Sequence, residues 1–380
     1  MIVADRLHSV EEYYFSKKLR EVRGLIAEGR PVINMGIGSP DLPPPNAALE
    51  GLSQSLHQAG AHQYQSYQGL PELREAMATF YLERFGVTVD PKNELLPLIG
   101  SKEGIMHISL AFLNPGDGVL VPNPGYPTYT SVSKLIGAKT IQYDLKEENN
   151  WLPDINSLEK LDLDQVKLMW ISYPNMPTGA KITHQKMQDL VQFAKAHSIL
   201  LVNDNPYSFV LNDTPTSILQ IEGAKECALE LNSLSKTFNL AGWRVGMVMG
   251  SPEHVLGVLK VKSNMDSGMF YGIQKGAVAA LESGSEWFHN LDAVYTERRS
   301  LMFQLADKLG CTYDKHAAGM FVWAKLPPGS ISSEEFIDGV LYEKNIFIAP
   351  GTIFGSNGEG FIRFSLCVKE EKIQEAINRF

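Results

Sequence analysis

Residues 228–244 read Ala-Leu-Glu-Leu-Asn-Ser-Leu-Ser-Lys-Thr-Phe-Asn-Leu-Ala-Gly-Trp-Arg. The short apolar run at 228–231 gives way to hydroxyls and a lysine, and an arginine follows eight residues after the lysine. The run is too short for a helix and suits a strand covered on both faces. Lys236 then stands just past a strand end. Similar runs lie at 95–99, 119–121, 167–171, 199–202 and 245–249, with helix-length stretches at 101–113, 128–136 and 183–197 between several of them. Thr183 and Asp117 occupy cap or turn positions. Short apolar runs alternating with helices predict an α/β sheet with covered faces. Strand order, and whether some connections are antiparallel, stay open at this level.

Outside this block the rhythm differs. Residues 10–28 read as an amphipathic helix with Tyr14, Leu19, Val22 and Ile26 near one face. A Gly/Pro-rich turn follows, from Gly36-Ile37-Gly38 to Pro43-Pro44-Pro45. After about residue 285 come a long helical stretch at 286–309, an apolar run at 319–323, a helix at 333–344 and strand-like pieces at 347–348 and 361–366. Helices set against non-consecutive strands predict a smaller α+β domain. The expected division is 1–40 as an arm and part of the small domain, 41–285 as the large domain, and 286–380 as the small one.

The chain has 380 residues, enough for two or three domains at roughly 100–200 residues each. Its net charge of −9 argues against a polyanion-binding or anionic-membrane surface, because both need a positive excess. Cys227, Cys311 and Cys367 show no C-x-x-C spacing, so neither a zinc knuckle nor a disulfide framework is indicated, and a reducing cytoplasm is expected. Asp5, Glu11 and Glu12 sit where a signal peptide would need an apolar core. No run of 18 uncharged apolar residues suggests a membrane span.

In open α/β sheets ligands sit beyond the carboxyl ends of the strands, so the strand-end loops carry the information. Gly100-Ser101-Lys102-Glu103-Gly104 opens a helix whose N–H groups can meet an anion, or is a plain capped junction. Ser172-Tyr173-Pro174-Asn175-Met176-Pro177-Thr178-Gly179 is a rigid turn or a binding loop. Asp204 is a cap, or a ligand for a ribose, a metal or a protonated ring nitrogen. Lys236 with Arg244 is a solvated pair, or an imine-forming amine beside a phosphate-neutralising guanidinium. One ligand satisfies all four loops: it carries a phosphate, an aldehyde and a ring nitrogen. Pyridoxal phosphate has all three.

These motifs, in this order, resemble fold-type I pyridoxal-phosphate-dependent aminotransferases of class I/II over nearly the whole chain. Ser233-Leu234-Ser235-Lys236 with Arg244 resembles the family's lysine signature. The 174–179 loop resembles its P-N-N-P-T-G loop, and Asp204 with Tyr207 its D-x-x-Y pair. The segment 64–74 resembles the lead into its first large-domain helix, and 349–365 its carboxylate-binding strand. Tyr13-Tyr14-Phe15 and the Gly-Ser-Lys-Glu loop look similar to LL-diaminopimelate aminotransferases, and Lys102 to a distal-carboxylate ligand of aspartate-type members.

The resemblance implies the aspartate-aminotransferase-like fold, a large mostly parallel α/β domain plus a small α+β one. It implies Lys236 as the cofactor-linked amine and proton shuttle. Asp204 would face the ring nitrogen, Tyr207 the ring hydroxyl and Tyr126 the ring face. Ser101, the Lys102 backbone, Ser233 and Arg244 would hold the phosphate. Tyr64 would reach a phosphate across a homodimer interface. Arg363 and the Gly38 backbone would bind the substrate carboxylate, with Lys102 near a distal one. Aligned on Pro-Thr-Gly, the family's asparagine falls on Met176, so either Asn175 reaches in or the ring hydroxyl relies on Tyr207.

The activity implied is ping-pong transamination between an L-amino acid, acidic or general, and a 2-oxo acid such as 2-oxoglutarate. A C–S lyase or an aminocyclopropane-carboxylate-type synthase shares every motif, so only product analysis separates them. A cofactor-sensing regulator would add a basic DNA-binding segment, and none is seen. A nicotinamide dehydrogenase is disfavoured because Gly36-Ile37-Gly38 lacks a third glycine. No metal is expected, for want of H-E-x-x-H or a tight histidine cluster.

Overall fold

The computed structural model describes residues 3–10, 12 and 14–380. Its large sheet contains β1 (Leu95–Leu98), β2 (Gly118–Asn123), β3 (Lys139–Asp144), β4 (Val166–Ile171), β5 (Leu200–Asp204), β6 (Ala228–Ser233) and β7 (Gly246–Met249). The order across the sheet is β1-β7-β6-β5-β4-β2-β3. β7 runs antiparallel to β1 and β6, and every other pairing is parallel. β1 to β6 therefore end at one edge, and the loops after them share one crevice.

Side-chain alternation splits the strands between two cores. Leu168 and Trp170 pack with Val119, Val121, Leu229 and Leu231 on one face. Met169 and Ile171 pack with Leu120, Leu201 and Met247 on the other. Helices His184–Ala196 and Pro71–Phe85 cover the second face, and Ser101–Phe112 covers the first. Thr183 caps its helix, accepting from the Lys186 N–H at 3.2 Å. β3 carries no apolar run. It is an edge strand in which Tyr143 alone is buried, so its sequence stays polar.

The smaller sheet contains β8 (Thr312–Tyr313), β9 (Phe321–Lys325), β10 (Ala349–Pro350) and β11 (Phe361–Ser365), antiparallel in the order β10-β11-β9-β8. Its core collects Tyr295, Met302, Ile337, Leu341 and Phe364, and also Val22, Ile33 and Met35 from the N-terminal segment. Ile33–Asn34 pairs in parallel with Ile346–Phe347. These contacts support the division at 40 and 285, which we propose for the chain. The N-terminal helix runs Tyr14–Ala27, while Glu11 and Tyr13 lie outside the described residues. Val22 is buried but Ile26 is 50% exposed, so the expected apolar face does not reach the helix end.

Arg298, 2% exposed, joins the two parts. It donates to both Asp41 carboxylate oxygens at 2.7 and 3.0 Å and to Glu370 at 2.7 Å. The 36–41 segment is thereby fixed against the C-terminal helix Glu370–Ile377, at the mouth of the crevice. Among the described residues, no helix is long and apolar enough to cross a membrane.

Candidate active site

A cavity of about 620 Å³ opens at the carboxyl edge of the large sheet, against the small one. Gly38, Ser101, Lys102, Tyr126, Asp204, Tyr207, Ser233, Lys236, Arg244 and Arg363 all line it. Its volume suits a small cofactor together with a substrate.

Asp204 is the last residue of β5 and is 5% exposed. Its Oδ2 accepts from the Tyr129 hydroxyl at 2.8 Å, and its buried Oδ1 has no hydrogen-bond partner among the described residues. Burial pushes the carboxyl up to about 7, against the downward pull of Tyr129. A buried acceptor of this kind calls for a cationic N–H donor. Tyr129 itself lies flat against Trp170, with ring centroids 4.9 Å apart and planes at 6°. Tyr129 escaped the sequence reading. It stands one helical turn after Tyr126, a spacing that equally describes a core tyrosine.

Lys236 follows β6 by three residues, in the short helix Leu234–Thr237. Its Nζ donates to the Gly38 carbonyl at 2.6 Å. Burial brings its pKa down to about 8, with Arg363 and Arg244 lowering it further and Cys367 opposing. Roughly a tenth of such an amine is neutral at pH 7, so it can act as nucleophile and base.

The anion cup lies at the start of helix Ser101–Phe112. Its N-cap Gly100 has φ +90° and no capping side chain, which leaves the first N–H groups open. A Cβ on Gly100 would sit 2.1 Å from the Arg244 guanidinium, so only glycine lets the two approach. Ser233 and Ser235 face the same cup, and Ser233 Oγ donates to Ser235 Oγ at 2.7 Å. The Lys102 amine is pulled down by burial and then by Arg244, placing it near the same guanidinium.

Arg363, 4% exposed, projects from β11. Its Nη2 donates to the Gly36 carbonyl at 2.7 Å, and its Nη1 lies 3.3 Å from Met176 Sδ. Its Cζ sits 3.9 Å from the Phe321 ring centroid and 4.6 Å from that of Phe354. A Cβ on Gly38 would lie 2.3 Å from the Phe321 ring, so the strip over the site packs that closely only as glycine. Burial drives the Tyr207 hydroxyl well above its ordinary pKa and keeps it a proton donor.

Asn175 lies elsewhere, and Tyr64, expected at a neighbouring subunit's site, is outside this chain's cavity. Asn175 is buried but does not line the cavity: its Oδ1 accepts from Thr178 Oγ1 at 2.8 Å and its Nδ2 donates to the Ser172 carbonyl at 3.3 Å. It locks the loop, and Met176 faces the cavity in its place. Tyr64 is 90% exposed and outside the cavity. Glu103, His107 and Asp266 bring ligand-type atoms within 4.8 Å of one another, apart from the cavity lining, and Asp266 is already paired with Lys262 at 2.9 Å.

The Met176 position is testable in the cofactor-loaded protein. Met176→Asn supplies an amide donor where a thioether stands. If it faces the ring oxygen, it favours the oxyanion there. The pH at which bound-cofactor absorbance changes should then fall by about 1 unit, the worth of one charge-assisted hydrogen bond. An unchanged spectral titration would place residue 176 away from that oxygen.

This arrangement defines a pyridoxal-phosphate enzyme of the aminotransferase fold. The chain belongs to the family "Aminotransferase class I and II", whose model matches residues 30–380. It is 39% identical over 380 residues to an LL-diaminopimelate aminotransferase of Nitratidesulfovibrio vulgaris, covering 99% of this chain and 98% of the relative. It is 41% identical to a protein of the same name from Aquifex aeolicus, covering 99% and 97%. Among solved structures, substrate-bound BacF from Bacillus subtilis superposes with TM-score 0.95 at 36% identity, covering 100% of this chain and 97% of that one. A Thermus thermophilus aspartate aminotransferase mutant superposes with TM-score 0.93 at 24% identity, covering 100% and 99%, which shows the shared fold. The chain is thus a pyridoxal-phosphate-dependent transaminase.

Proposed function

We propose that this transaminase moves the amino group of an L-amino acid onto 2-oxoglutarate in two half-reactions at one site, with ping-pong kinetics. The observation that carries this is the meeting of three groups in one cavity: the low-pKa amine of Lys236, the unpartnered Asp204 oxygen and the Arg363 guanidinium. Bound pyridoxal phosphate supplies an aldehyde that takes up the amino group and a ring that accepts the electron pair.

The protein's own groups do the rest. Asp204 Oδ1 would hold a proton on the ring nitrogen. Lys236 Nζ would take the substrate's α-proton and keep it for return. Tyr207 would donate to the ring hydroxyl, and Tyr126 would cover the ring. Ser101, Lys102, Ser233, Ser235 and Arg244 would hold the phosphate. Arg363 takes the substrate α-carboxylate, its fork matching the two oxygens. Lys102 also meets the distal carboxylate of 2-oxoglutarate.

The active unit in this proposal is a homodimer, with Tyr64 reaching into the neighbouring site. Its support is the exposure of Tyr64, Tyr67, Met265 and Phe270 on adjoining loops; Lys262 Nζ bonds the Tyr67 carbonyl at 2.9 Å. We place the protein in the cytoplasm, supported by three cysteines without a disulfide. A second reading takes LL-diaminopimelate as donor, from the two relatives of that name.

Arg363→Ala tests the carboxylate clamp. KM for amino and oxo acids should rise about 10²-fold, as expected for a lost charge-assisted pair, with cofactor affinity nearly unchanged. Equal losses in both would remove Arg363 from the substrate. Release of ammonia and pyruvate in place of a transferred amino group would remove the transaminase.

A further inference from the structure

We infer that the amino donor carries a large apolar or aromatic side chain, seated against Phe15, Leu19, Ile37, Met176 and Phe354. This rests on the transaminase reading above and narrows its donor. The charged side chains lining the cavity are Lys102, Asp204, Lys236, Arg244 and Arg363. Asp204, Lys236 and Arg244 serve the cofactor, and Arg363 serves the α-carboxylate. Lys102 is the second residue of the helix that opens at the anion cup, which Arg244 also lines. Among the described lining residues, Asp204 is the sole carboxylate. A distal ammonium, as on a diamino acid, meets no carboxylate there besides Asp204 among the described lining residues, and a buried unpaired charge is strongly disfavoured.

Around Arg363 the uncharged lining is mostly apolar, with Ser16 the hydroxyl among Phe15, Leu19, Ile37, Met176, Phe321 and Phe354. Phe15 and Leu19 lie four residues apart on the N-terminal helix, on one face. Phe354 ends the short helix Gly351–Phe354. The Arg363 Cζ lies 4.6 Å from the Phe354 ring centroid and 5.6 Å from that of Phe15. A substrate held at Arg363 by its α-carboxylate, with its α-carbon toward Lys236, extends its side chain along these groups. Met176 makes the loop side of this pocket a thioether, a soft surface that adapts to aryl and branched chains. Lys102 would meet the acceptor's distal carboxylate, so the acceptor's own amino form is by reversibility also a donor, and the apolar wall takes the other amino acid of the pair.

Each buried methylene is worth about fourfold, so phenylalanine, leucine and methionine should exceed alanine in half-reaction kcat/KM by on the order of 10²-fold. The experiment mixes cofactor-loaded enzyme separately with these four, with L-aspartate and with LL-diaminopimelate, following conversion of the bound cofactor to its amino form. Phenylalanine, leucine and methionine should also lead the last two by at least about tenfold. Parity with aspartate or LL-diaminopimelate, or preference for either, overturns the apolar donor and leaves the transaminase standing. Conversion by no amino acid overturns the transaminase reading and the inference with it. Calorimetry gives a readout free of turnover. 3-Phenylpropanoate should bind the loaded enzyme at least about tenfold more tightly than succinate, and the reverse order overturns the wall. Leu19→Lys, at a half-buried helix position, should lower phenylalanine and raise aspartate by about tenfold each; an unchanged ratio takes Leu19 out of the pocket.

Discussion

Lys236→Ala should reduce transamination by about 10⁴-fold or more, because it removes both the amine that links the cofactor and the base that moves the α-proton. The wild-type protein should be yellow, and borohydride should fix pyridoxal phosphate to the fragment carrying Lys236. The alanine variant should lose the trap. The control is demanding because a second amine, Lys102, also lines the cavity and is also pulled below its ordinary pKa by burial. What separates them is environment. Lys236 is brought down to about 8 and bonds the Gly38 carbonyl, whereas Lys102 lies beside Arg244 at the anion cup. A phosphate there would restore the Lys102 charge and spoil it as a nucleophile. If the variant still forms a reducible adduct that maps to Lys102, the assignment moves there.

Residues at strand ends were readable because the apolar run says where a strand stops. The placing of Asp204, Lys236 and Ser101 beyond strand ends follows from that, while their roles, and that of Arg244, come from the resemblance. Groups whose role depends on distant partners were not readable. Tyr129 matters because Trp170 supports its ring and Asp204 receives its hydrogen bond, and neither is near it in sequence. Glu230, 0% exposed in the middle of β6, looks like a flaw in an apolar run. It is held by Tyr81, Asn203, Asn205 and the Ile218 N–H, donors from three other parts of the chain. The reversed direction of β7 left no mark, because a strand covered on both faces reads the same either way. Asn175 and Met176 differ by one residue along a loop, and composition does not say which side chain turns inward. The N-terminal helix was legible as amphipathic, but its packing against Arg363 through Phe15 was not.

Asp204→Asn should lower kcat by on the order of 10³-fold, since an amide cannot hold a proton on the ring nitrogen by charge. It should also change a pH profile that does not depend on turnover. In the cofactor-free protein the Asp204 carboxyl sits at about 7, raised by burial from 3.8. The folded chain therefore binds more protons than the unfolded one between those values. The contribution to stability is fully present below about pH 4 and is lost as pH climbs to about 7, at up to roughly 1.4 kcal/mol per unit. Asparagine does not titrate, so the stability of wild type relative to Asp204→Asn should decline across that window and level off above it. Loading the cofactor should reverse the cause. A protonated ring nitrogen facing Oδ1 favours the ionised carboxylate, and the decline should disappear. Urea melts of both proteins, with and without cofactor, at pH 5, 6 and 7 read this directly. A decline that survives loading would mean that the ring nitrogen does not face Asp204.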